Sequence, residues 1–135
     1  MELGAVLRAT LRTEHNVRFA LLFGSAARGT DTPTSDVDVL IDLRHSELER
    51  IVDLSATLTA TVGRRVDLLR LDDAETDSSL LTTAVSDGRV LVDRDGLWPQ
   101  LQQRAGHLRA SAKTREASRL REALAGIDRV LGARA

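Results

Sequence analysis

The spacing of hydrophobic positions changes several times along the chain, and each change predicts a new element. Leu3, Val6, Leu7 and Leu11 recur at helical spacing with arginines between them, which predicts an amphipathic helix ending near Asn16. Val17 to Phe23 (VRFALLF) is a short apolar run of strand formers halted by Gly24, and it reads as a strand buried on both faces. Residues 24–35 (GSAARGTDTPTS) are dense in Gly, Ser, Thr, Asp and Pro, a loop in which Ser25 to Arg28 has room for one helical turn. Then the period becomes two. Val37, Val39 and Ile41 alternate with Asp36, Asp38 and Asp42, so a strand turns apolar side chains to one face and carboxylates to the other. Leu40 interrupts the polar face, as expected if only one end of the strand is wet.

Further along, Leu48, Ile51, Val52, Leu54, Ser55 and Leu58 suit a helix over 46–61, with Ser46 and Glu49 in capping-box spacing and Gly63 as its stop. Arg65 to Leu71 predicts a third strand carrying Asp67. Asp77 or Ser78 caps a helix through Val85 that ends at Gly88, and Arg89 to Asp93 forms a fourth strand. From Leu97 onward the pattern is helical. Leu120, Leu124, Ile127 and Leu131 form one stripe, expected to dock on the chain's own domain with Trp98 as anchor, a partner surface being the alternative, while residues 109–119 are polar nearly all round and either lie on the surface or meet something outside the chain. These elements divide into a core over residues 1–95 and a helical extension over 96–135.

Composition narrows the class. With 135 residues, 42% hydrophobic and 29% charged, the chain suits one folded unit rather than a disordered one. Only 2% of residues are aromatic and the net charge is −1, which disfavours single-stranded nucleic-acid binding by base stacking along a basic groove. The absence of cysteine removes disulfides, thiolate metal sites and Cys nucleophiles. No signal peptide and no apolar run of membrane-spanning length is found, so a cytoplasmic location and no membrane partner are expected.

The candidate chemistry lies in Asp36-Val37-Asp38. On a strand, residues two apart project to the same side about 6–7 Å apart. Two carboxylates that close repel, so one takes up a proton or a cation sits between them, and hard oxygen ligands suit Mg²⁺ completed by substrate phosphates. Asp67 joins the pair if the second and third strands are neighbours with matching faces; the trio then suits two ions about 4 Å apart, with Asp67 the candidate to take the acceptor's proton. Gly24 lets the backbone approach a phosphate, to which the Ser25 hydroxyl and N–H donate. Arg28, one turn later, is placed to neutralise a triphosphate oxygen.

Each piece has a bland counterpart. Gly-Ser before a loop is usually a turn, Asp-x-Asp is often solvated charge, and Arg28 suits a surface ion pair with Asp31 or a carboxylate of the cluster. The Arg64-Arg65 pair suits a solvated approach to the third strand more than steering of a negatively charged nucleotide or partner, Ser35 suits a loop hydroxyl, and Asp42 either supports the carboxylate pair from behind or is an exposed strand end. His15, His45 and His107 share no ligand spacing.

The joint pattern is more specific. Gly24-Ser25, ten intervening residues, then Asp36-Val37-Asp38, with Asp67 on a later strand, resembles the GS-x10-DxD signature of the minimal nucleotidyltransferases of the polymerase-beta type, over residues 17–93. The resemblance implies an α+β fold, a small mixed sheet of about four strands packed by helices with a helical C-terminus. It also implies Mg²⁺ dependence, two ions at Asp36, Asp38 and Asp67, and ATP as donor at Gly24, Ser25 and Arg28. Many proteins of this kind are antitoxins beside a HEPN-type toxin, which they neutralise by AMP transfer to a tyrosine; the expected function is therefore AMP transfer to a hydroxyl of such a partner, within a hetero-oligomer. Nucleotide addition to an RNA 3′ end such as tRNA, and neutralisation by binding alone, are the alternatives.

Overall fold

A computed structural model describes residues 2–133, with side chains described through residue 127. Helix α1 (Leu3–Arg12) buries Leu7 and Leu11 and stops short of Asn16. Thr13 N–H and Glu14 N–H donate three residues back, to Thr10 O and Leu11 O, which tightens the turn and ends the helix. Asn16 serves instead as a tie: its side chain donates to His45 O at 2.9 Å and accepts from His45 N–H at 2.7 Å.

Strand β1 (Val17–Phe23) is followed by the four-residue α2 (Ser25–Arg28) and β2 (Val37–Leu43). Helix α3 (Leu48–Val62) crosses over to β3 (Val66–Arg70), and α4 (Leu71–Glu75), α5 (Ser78–Asp87), β4 (Arg89–Asp93) and α6 (Trp98–Ala133) complete the chain. The sheet order is β3-β2-β1-β4. β1 runs antiparallel to both β2 and β4, while β2 and β3 are parallel, as a strand–helix–strand crossover requires. The expected four-stranded mixed sheet with a helical C-terminus is the observed one.

Both sheet faces are covered. Val17, Ala20 and Leu22 pack with Val37, Val39 and Ile41 under α1 and α3; Phe19, Leu21 and Leu40 pack under α4, α5 and the start of α6. A register shift between Val17 and Phe19 lets Arg18 point outward while Val17 joins the α1/α3 side. Leu40, the apolar break in the carboxylate face, belongs to this second core.

Two local expectations change. The capping box at Ser46 and Glu49 does not form: Glu47 is the N-cap and makes no side-chain bond, while Ser46 O accepts from Arg70 Nη1 at 3.5 Å. The third strand ends at Arg70 because Leu71 opens α4, a turn too short to leave a periodic signal. Asp77 does cap α5, accepting from Leu80 N–H at 3.1 Å.

Among the described residues, helix α6 is pinned at its start. Asp93 accepts from the N–H groups of Leu97 and Trp98 at 2.8 and 3.0 Å, Trp98 stacks on Phe19 with centroids 6.3 Å apart, and Leu101 and Ala105 are buried. Trp98 is thus the anchor expected. The aliphatic stripe beyond it does not dock on its own domain: Leu120, Leu124 and Ile127 are all exposed, and the side chain of Leu131 lies outside the described residues. An unbroken helix leaving the second core carries Leu120, Leu124 and Ile127 away from the body, so among the described residues they meet no surface of their own domain. Among the described residues no helix is long and apolar enough to cross a membrane.

Candidate active site

The glycine turn and the acidic strand meet because β1 and β2 are antiparallel neighbours, with Phe23 opposite Asp38. Gly24 follows at φ 74° and ψ −155°, a region almost closed to side chains. A Cβ built there would lie 2.7 Å from Asp38 Oδ2. Glycine is therefore required twice, by the backbone and by the carboxylate pressed against it. The chain then makes α2, whose Ala27 and Arg28 N–H groups both donate to Gly24 O at 3.1 Å. Ser25 and Ala26 N–H, like the first donors of any helix, have no intrahelical acceptor, and four residues supply little macrodipole. Gly29 at φ 75° turns the chain away.

Asp38 and Asp67 are register partners on the parallel strands β2 and β3, which puts their side chains on one face. Asp36 is exposed, one residue ahead of β2. Burial against the sheet pushes the Asp38 carboxyl above its ordinary value, and the charges of Asp67 and Asp36 push it further. Both neighbouring acids thus act on Asp38. Asp67 is not bare: Arg65 Nε donates to its Oδ1 at 2.8 Å, and the pairing with Asp67, then the charge of Asp36, raises the Arg65 guanidinium.

The donor set is all oxygen and excess in negative charge, which suits Mg²⁺. Among the described residues, however, no group of three His, Asp or Glu side chains is gathered closely enough to hold a metal ion. The three-carboxylate cage expected from sequence is not preassembled. Mg²⁺ commonly takes one or two carboxylates plus substrate phosphates, so Asp38 with Asp36 or Asp67 fits half of such a site.

Arg28 stands outside this group. Its Nη1 meets Asp87 Oδ2 at 2.7 Å, so the expected bland partner, Asp31 or an acid of the cluster, is replaced by one from α5. Asp31 pairs instead with Arg64, Nη1 to Oδ2 at 2.9 Å. Arg64 also donates from Nε and Nη2 to Ser35 O at 3.1 and 2.9 Å, and its side chain is only 16% exposed. Far from a solvated approach to the strand, Arg64 clamps the loop that delivers Asp36. The period of two contains the signal: Arg65 shares the parity of Asp67, and Arg64 falls on the other side. Ser35 Oγ stays within the loop, accepting from Thr32 N–H at 2.9 Å. Asp42, half-buried, lies 3.7 Å from Arg18.

Relatives fit this geometry. The family model described as "Polymerase beta, Nucleotidyltransferase" matches residues 6–96. The protein adenylyltransferase MntA of Thermococcus cleftensis is 40% identical over 60 residues, 44% of this chain and 61% of the relative. The matching part of the chain thus spans about three fifths of that relative's length. A chain in a crystal structure of a toxin–antitoxin with AMP-PNP superposes with a TM-score of 0.63 at 22% identity, covering 95% of this chain and 98% of its own. Another, in a tri-AMPylated Shewanella oneidensis HEPN toxin in complex with MNT antitoxin, gives 0.57 at 18% identity, with 95% and 98% covered. These last two are likenesses of fold. The match over 6–96 takes in β1, the glycine turn, both acidic strands and β4, most of the chain, and by it the chain belongs to the polymerase-beta nucleotidyltransferase family.

Proposed function

We propose that the chain is an adenylyltransferase that moves AMP from ATP to a hydroxyl of a protein partner, a helical HEPN-type toxin, and so acts as its antitoxin. The observation that carries this reading is the Asp38 carboxylate seated against the Gly24 turn with Asp67 as its strand neighbour. The relative named protein adenylyltransferase and the toxin–antitoxin neighbours support the choice of donor and partner.

In this reading Ser25 and Ala26 N–H and the Ser25 hydroxyl receive the triphosphate over Gly24, where no side chain intervenes. Arg28 swings from Asp87 to a phosphate oxygen, an exchange of one anion for another. Asp36, Asp38 and Asp67 would hold Mg²⁺, which when bound offsets phosphate charge and acidifies the attacking hydroxyl. The acceptor oxygen bonds to the α-phosphorus as the bond to the β-phosphate oxygen breaks, and pyrophosphate leaves. Asp67 takes the proton, which requires it to part from Arg65. Net charge and aromatic content disfavour an RNA acceptor.

The test is incubation with α-labelled ATP, Mg²⁺ and the product of the adjacent gene, with Asp36→Asn/Asp38→Asn as control. Label on the partner with the unaltered chain alone is expected. No transfer from any of the four NTPs would count against catalysis, and full neutralisation by the double variant would favour binding alone.

A further inference from the structure

Arg64 and Arg65 are adjacent, yet they hold their anions in different ways. Arg64 is nearly enclosed and reaches both Asp31 and Ser35 O. The Arg65 side chain is 73% exposed and donates to Asp67 alone, from Nε to Oδ1 at 2.8 Å. An ion pair so open to water is weak, and it gives way to a stronger competitor.

The register of the parallel strands explains why this cation stands where it does. Asp38 is abreast of Asp67, and Val37 of Val66. One step further back Asp36 comes abreast of Arg65, where Val37 N–H donates to Arg65 O at 2.8 Å. By the period of two, Arg65 shares the face of Asp67, and the charge of Asp36 acts on its guanidinium along with that of Asp67. Among the described residues Arg65 is the one cation in an ion pair with any of the three acids. With Asp67 so engaged, the three carboxylates are not gathered closely enough to hold a metal ion.

We infer that Arg65 is a positioning residue for Asp67: a resident cation that keeps this carboxylate out of the metal set and yields its place when a divalent cation enters. The inference rests on the proposed function and adds to it what parts Asp67 from Arg65. A divalent ion sets twice the charge of a guanidinium against the carboxylate oxygens, and hard oxygen ligands suit it. Arg65, already exposed, loses little on returning to water. Without a divalent cation Asp67 therefore stays neutralised by its neighbour, and it becomes free to take the acceptor's proton only when the site is loaded.

Mn²⁺ alone, without nucleotide, is the probe, followed by the electron paramagnetic resonance of the free ion at low salt. Arg65→Met should bind it roughly ten-fold more tightly than the parent, the effect of removing one positive charge beside a divalent ion in water-like surroundings. Arg65→Lys, which keeps the charge, should stay near the parent, and so should Arg50→Met, which removes a cation paired with Glu47 on α3. In NMR spectra the Arg65 Nε–H signal, identified by its loss in Arg65→Met, should move on addition of Mg²⁺ toward its position in Asp67→Ala. A merely structural ion pair would not move. Equal Mn²⁺ affinity of the parent and Arg65→Met, an equal gain in Arg50→Met, no Mn²⁺ binding by either parent or Arg65→Met, or a stationary Nε–H signal while metal binds would each overturn the inference. Label reaching the partner alongside such a result would leave the proposed reaction standing. The expected metal results with no AMP transfer would instead overturn the reaction and keep the role of Arg65.

Discussion

Replacing Gly24 by alanine separates backbone strain from the contact with Asp38. The backbone there, at φ 74° and ψ −155°, costs a residue with a side chain about 1–3 kcal/mol. The new Cβ also arrives 2.7 Å from Asp38 Oδ2, so the half-buried carboxylate must move. Gly29 is the internal control, at φ 75° in the left-handed helical region with nothing within 4 Å of where its Cβ would stand, and Gly29→Ala should cost only about 1 kcal/mol. At about 4 °C per kcal/mol for a domain of this size, calorimetry should place Gly29→Ala about 4 °C below the parent and Gly24→Ala about 8–12 °C below it. AMP transfer at a temperature where both are folded should survive at Gly29 and fall at least ten-fold at Gly24. Equal melting losses and equal activities at the two positions would refute the claim that Gly24 is fitted to Asp38.

Charge placement sets two further outcomes. Burial, with the charges of Asp72, Glu75 and Asp95, raises the Asp42 carboxyl despite Arg18; a carboxyl raised in the fold contributes stability when protonated and loses it as pH rises through the folded value. Asp42→Asn should therefore melt above the parent at pH 7, with the difference vanishing on acidification through the carboxylate range; Arg18 keeps Asp95 at 2.9 Å. Arg64→Met removes the clamp on Ser35 O and Asp31, bonds of a charged group worth about 2 kcal/mol. It should speed hydrogen exchange over residues 30–36 and raise KM for ATP, whereas Arg65→Met should leave exchange in the loop unchanged.

Much of the sheet was legible because its strands are short, apolar and bounded by glycine or charge. β1 and β4 begin and end where the residues change character, and the alternation of Asp36, Asp38 and Asp42 marked the face of β2 directly. The pairing of Asp38 with Asp67 was a condition, met because α3 crosses over and makes β3 a parallel neighbour. What escaped depends on contacts distant in sequence. Arg64 and Arg65 are alike as letters, yet one grips the loop and the other Asp67. Arg28 finds Asp87, 59 residues away. The stripe on α6 has the spacing of a docking helix, and spacing does not say what it docks on.

Central to the proposed chemistry is that Asp38, with Asp36 and Asp67, receives Mg²⁺ and a triphosphate beside Gly24. Calorimetric titration of the full chain with ATP, with Mg²⁺ and with EDTA, tests this most directly. Binding should weaken at least ten-fold, about 1.4 kcal/mol, when Mg²⁺ is removed or Asp38 becomes Asn. Equal ATP affinity in all three cases would contradict it.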